Sequence, residues 1–232
     1  MKKLLSCAAL AAASLFGTAS AATLTFQADE NRTGSDSLVT DIVVEDISGG
    51  VRMTFTINDA NNTGDITALF FNIGGDFAGF GDAASLEAAV TPNVAPITGF
   101  AVNANSVSGT QGGGRNVNGN GEQPIFDVLL AIGRTGASAP GGVNDVFTTV
   151  SFDISGTDLD ASDFIGQLFA VRGQSVGAIA MAGGNGSAKM FGIPELDEID
   201  PPLGDVVVPV PGAGLLLLGG LGTLAAARRK RG

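Results

Sequence analysis

The chain has 232 residues, of which 35 are Gly and 9 are Pro, about a fifth of the total against about 12% in ordinary proteins. Hydrophobic residues make up 44% and charged residues only 15%, which excludes a wholly disordered chain, and the lack of a Gly-X-Y period excludes collagen. There is no His, Trp or Tyr, and the single Cys is Cys7, so imidazole-based catalysis, a disulfide and a thiolate zinc site are all excluded from the body.

Residues 1–21 have the three parts of a secretory leader. Lys2 and Lys3 give a basic start, residues 4–16 an apolar run, and Ala19, Ser20 and Ala21 the small side chains that a signal peptidase pocket accepts, with cleavage expected after Ala21. Residues 4–7 also spell a lipobox, but only Leu4 and Leu5 precede Ser6 as apolar residues, too short a run to present Cys7 for lipidation.

Residues 22–194 carry a β pattern. In residues 51–58 the alternation is strict, with Val51, Met53, Phe55 and Ile57 on one face and polar residues on the other, the signature of a half-buried strand. Further runs fall at 23–27, 38–46, 66–73, 98–102, 126–132, 146–154 and 167–172. In 146–154, Val146, Thr148, Val150, Phe152 and Ile154 share a face. Turn clusters such as Ser48-Gly49-Gly50 and Asn61-Asn62-Thr63-Gly64 separate them, with Gly and Asn supplying positive φ. The pattern predicts an all-β domain, an antiparallel β-sandwich of the jelly-roll or Ig-like kind.

Two short helices are expected, at 82–90 and at 162–166, the second capped by Asp160 or Ser162. Residues 103–123, rich in Gly and Asn, predict a long loop. Gly112-Gly113-Gly114-Arg115 and Gly183-Gly184-Asn185-Gly186 lack the Lys-Ser/Thr ending of a phosphate-binding loop.

Candidate chemistry in the body is sparse. Asp59, Asn61 and Asp65 place oxygens at alternate positions around a Gly turn, as a calcium loop does, although the same residues suit a plain hairpin turn and no bidentate Glu follows at EF-hand spacing. Asp158, Asp160 and Asp163 form a second acidic cluster that equally suits a helix cap. With 23 acidic residues, chance carboxylate pairs are unavoidable, and a glycoside hydrolase would need one such pair in a cleft with separated pKa values. A Ser-Lys site has only Lys189 as a body lysine and no supporting motif. A secreted carbohydrate-binding module is a further alternative, in which exposed Phe residues would line a groove.

Residues 195–207 are acidic and end in proline, as a linker does. Residues 206–227 then carry no charge and are followed by Arg228, Arg229, Lys230 and Arg231. A membrane helix needs about 17–25 apolar residues, so the run spans, and its basic end is held on the cytoplasmic side. Pro209 and Pro211 delay the helix to about Ala213 and leave it short. A single-pass anchor is one reading of such a tail. Losing Lys2, Lys3 and the four terminal cations halves the 12 Lys and Arg while all 23 acidic residues stay. So acidic a body repels phosphate backbones, and nucleic acid is not expected as a partner.

The tail in residues 208–232, with the motif Val208-Pro209-Val210-Pro211-Gly212, the Leu/Gly-rich residues 215–224 and the terminal basic cluster, resembles the C-terminal sorting signals of bacterial exosortase substrates, the PEP-CTERM class and its VPLPA-CTERM variant. Val210 and Gly212 stand where that variant commonly has Leu and Ala. In the body, residues 65–73, and residues 169–177 with 186–192 as a closing hairpin, are similar to segments of other such substrates. The resemblance implies export, transient retention in the inner membrane, cleavage by an exosortase-type processing protease, and release to the cell surface or an exopolysaccharide matrix. It implies no activity, no catalytic residues and no cofactor, with calcium the only ligand the residues suggest.

Overall fold

Strict alternation becomes burial in the strand Gly50–Ile57, where Val51, Met53 and Phe55 are fully buried and the intervening Arg52 and Thr54 are not. The structure, a computed structural model, describes residues 21–32, 36–74, 80, 82–109, 115–119, 121–133, 146–178 and 184–195. Ala19, the motif 208–212, the tail helix and Arg228–Arg231 lie outside the described residues, as does the linker beyond Glu195.

In chain order the strands are β1 (Thr23–Ala28), β2 (Glu30–Asn31), β3 (Thr40–Ile47), β4 (Gly50–Ile57), β5 (Asn62–Phe71), β6 (Val90–Val94), β7 (Ile97–Ser108), β8 (Ile125–Ile132), β9 (Thr149–Ser155), β10 (Phe169–Ala178) and β11 (Gly186–Gly192). One helix, α1 (Ala83–Ala89), and one 3₁₀ turn (Ala161–Phe164) join them. The strands form two antiparallel sheets: a five-stranded one in the order β1-β3-β4-β9-β6 and a six-stranded one in the order β2-β11-β10-β5-β8-β7. Both helical segments fall where the sequence places them. Asp82 caps α1 by accepting from the Ser85 N–H at 2.8 Å, and Asp160 caps the 3₁₀ turn.

One hydrophobic cluster takes side chains from both sheets, including Phe26, Phe55 and Phe152 from the five-stranded sheet and Phe71, Leu130 and Phe169 from the six-stranded one. Phe169 joins them: its ring meets Phe26 edge-on at 4.9 Å, stacks with Phe71 at 5.8 Å and lies 6.0 Å from Phe164 of the 3₁₀ turn. Residues 48 and 49 alone join β3 to β4, and Gly50 at the start of β4 lies against β9; a Cβ there would stand 1.9 Å from the Ile154 carbonyl oxygen, so no larger residue fits.

Two expectations are corrected. The strand expected at 146–154 begins at Thr149. Val150, Phe152 and Ile154 are fully buried as expected, but Val146 is 53% exposed and Phe147 packs on the core in its place. The phase breaks because the Phe147 N–H donates to Asp65 Oδ1 at 2.8 Å and its carbonyl accepts from the Ile66 N–H, tying it to β5. The loop expected at 103–123 is in part strand: β7 runs to Ser108. The buried Asp127 explains how. Its carboxylate accepts from the N–H groups of Asn105 (2.6 Å) and Ile73 (2.9 Å), fixing Asn105 at a φ of 47° where the β7–β8 register shifts.

Residues 115–119, 121 and 122 then fold back over the outer face of the six-stranded sheet. There Val117 and Val107 complete a second hydrophobic cluster with Ala68, Phe70, Phe126, Leu129, Ala170 and Phe191.

Candidate functional site

The calcium loop proposed for Asp59, Asn61 and Asp65 has its carboxylates engaged by backbone. Asp59 Oδ1 accepts from the N–H groups of Asn61 (2.8 Å) and Asn62 (2.9 Å), an Asx turn that leads the chain into β5. Asp65 instead holds Phe147, and Asn61 is exposed. Asp158, Asp160 and Asp163 do not assemble as ligands: Asp160 accepts from the Ser162 N–H and Asp163 accepts from the Asp160 N–H, a reciprocal capping box. Among the described residues no group of three or more acidic, His or Cys side chains is placed to hold a metal ion.

A cleft of about 580 Å³ opens where β1 and β3 meet β11, floored by Phe26 and Phe191 and rimmed by Asp29, Glu30, Asp41 and Glu195. Two of the rim acids have other duties. Asp41 accepts from the side-chain amides of Gln27 (2.8 Å) and Asn58 (2.7 Å), and Glu30 accepts from Arg32 at 2.8 Å. Elsewhere Asp82 and Asp153 are held below the ordinary carboxylate range, Asp82 by the Ser85 N–H and Asp153 by the Arg52 guanidinium. A general acid requires the opposite direction. Among the described Phe residues none is exposed: Phe100 and Phe147 are half-buried and the others buried, so most of these rings have no open face for stacking on a sugar.

The cations form the more unusual arrangement. Arg52 lies on the five-stranded sheet, in a bidentate pair with Asp153 at 2.7 and 3.0 Å. Arg32, Arg115, Arg172 and Lys189 gather about the outer face of the six-stranded sheet. Register aligns Gly99, Ala131, Ala68, Arg172 and Lys189 in one row across five strands, and Ala101, Leu129, Phe70, Ala170 and Phe191 in the next. Arg115 Nη1 lies 3.6 Å from where a Gly99 Cβ would stand, and Arg32 lies over the Phe191 ring, 4.8 Å from its centroid.

Burial pushes the Arg115 and Arg172 guanidinium groups below their ordinary value, and burial followed by the charge of Arg172 does the same to Lys189. Arg32 moves up, chiefly through its bond to Glu30. The buried Nη2 of Arg115 has no acceptor among the described residues. Lys189 Nζ donates to the Asn118 carbonyl, and Arg32 also pairs with Glu122 at 3.6 Å, so the same cations pin the folded-back segment. Sequence reasoning missed this face because Arg172 and Lys189 become neighbours only through the β10–β11 register.

At the opposite end of the chain path, Ala22 packs against the core while Ala21, the last residue expected in the leader, is exposed. The Ala22 N–H donates to Asp46 Oδ2 at 2.9 Å, and its carbonyl accepts from the Asp46 N–H at 2.9 Å. Asp46 Oδ1 accepts in turn from the Ala161 N–H at 2.7 Å.

Together these features define an antiparallel two-sheet protein with a cation-bearing outer face. No family model matches the chain, and comparisons with curated proteins and with solved structures give no match. Among the described residues no helix is long and apolar enough to cross a membrane, and the helix expected in the tail lies outside them.

Proposed function

We propose that the chain is an exported, non-enzymatic β-sandwich protein of the jelly-roll or Ig-like kind, held transiently at the inner membrane by its C-terminal helix and processed for the cell surface or an exopolysaccharide matrix. Its work there is structural or adhesive. The observation that carries this reading is the order of parts in the tail: the proline motif at 208–212, the uncharged run to Ala227, then Arg228, Arg229, Lys230 and Arg231. Two antiparallel sheets with a shared core support the sandwich.

The test is intact mass and cell fractionation of the native protein beside a Pro209→Ala, Pro211→Ala variant. Wild type is expected to lose both terminal segments and leave the membrane. The variant stays in the membrane. An intact C-terminus with membrane residence in both chains would overturn the sorting reading in favour of an ordinary anchor.

A further inference from the structure

We infer that Asp46 is the receptor for the α-ammonium that leader cleavage liberates at Ala22, so that processing itself fastens the mature N-terminus. The inference rests on the export reading and adds a site to it. Hydrolysis of the Ala21–Ala22 peptide bond by a signal peptidase consumes one water. The new carboxylate stays on Ala21 and departs with the leader, and the Ala22 nitrogen becomes a primary amine that takes up a proton at neutral pH.

That nitrogen already lies 2.9 Å from Asp46 Oδ2 in a part-buried position, so cleavage turns an amide donor into a charged one that is already beside its acceptor. The other Asp46 oxygen accepts from Ala161 at 2.7 Å, so the carboxylate faces two backbone donors and gains its counter-ion only in the processed chain. The remaining charged groups on these elements are Asp41, which accepts from Gln27 and Asn58 farther along β3, Glu45, whose cross-strand neighbours are Thr23 and Arg52, and the cap residues Asp160 and Asp163 beside Ala161. Acids outnumber the one cation, which favours an ammonium at this point.

The arrangement joins the N-terminus, the end of β3 and the 3₁₀ turn in one contact. A chain held by both its first nitrogen and its first carbonyl also presents a poor end to an aminopeptidase.

The experiment uses the native processed protein. Mass spectrometry fixes its first residue; the α-amine is then acetylated near pH 6.5, where it reacts ahead of lysine, and thermal unfolding is compared for wild type and Asp46→Asn. Acetylation keeps the N–H donor and removes the charge. It is expected to lower the wild-type melting temperature by about 2–4 °C and to leave Asp46→Asn unchanged. If that variant does not fold, NMR titration of labelled Ala22 in wild type serves instead, with the amine expected to titrate above its ordinary value of about 8. A first residue other than Ala22 would overturn the cleavage reading and the inference with it. A first residue of Ala22, with no effect of acetylation or an unshifted amine, would overturn the inference alone.

Discussion

On the outer face of the five-stranded sheet Arg52 is closed by Asp153, Thr54 by Ser151 at 2.9 Å, and Asp41 by Gln27 and Asn58. On the outer face of the six-stranded sheet Arg172 stands beside Lys189, and Phe70 beside Leu129. The first face pairs each polar group with a complementary one across the strand, so it meets water on its own. The second places like charges opposite each other and buries aromatic rings outside the main core, so it depends on residues 115–119, 121 and 122 as a cover. The inner faces are alike; the outer faces divide the molecule into a self-sufficient side and a covered side.

The largest expected effect tests what the sheets share. Phe169→Ala removes the ring that touches both sheets and should cost about 3–5 kcal/mol in urea unfolding; a loss below about 1 kcal/mol would mean that the sheets do not depend on a common core. Next comes the cover. Val117→Ser should cost about 1–2 kcal/mol and raise amide exchange at Val107 and Phe126 while leaving β4 and β9 protected; equal deprotection of both sheets would erase the distinction.

The smallest effect belongs to the self-sufficient side. Arg52 holds the Asp153 carboxyl below its ordinary range, so the pair's contribution is present above the unfolded carboxyl's pKa and is lost as pH falls through the depressed one. Asp153→Asn should therefore lower the melting temperature by less than about 2 °C at pH 7, and by progressively less as acid protonates the depressed carboxyl. A difference that persists in acid would assign the loss to packing.

What was legible in the sequence was local. Alternation at 51–57 and the cap at Asp160 each depend on neighbours within a few residues, and the hairpin of β10 with β11 followed from resemblance. β7 was illegible beyond Val102 because residues 103–106 are exposed and show no apolar alternation, their strand being held by a carboxylate more than twenty residues away in β8. The candidate calcium ligands were legible as a turn and ambiguous as a site, since Asp59 and Asp65 use the same oxygens for backbone that they would offer an ion. The Ala22–Asp46 contact had only half a signal, the cleavage site, with its acceptor twenty-four positions along the chain.

Pro92 sits within β6, where pairing to β9 slips, and the outermost strand of the other sheet carries the Asn105 kink with two slips of its own, while β2 is two residues long. Of the four sheet borders, these three give an incoming strand no continuous ladder to extend, while β1 pairs with β3 over six positions without a slip. Copies of this molecule concentrated in one place are thereby discouraged from fusing into fibres through three of their borders, which leaves β1 as the one regular edge along which a ladder could be extended.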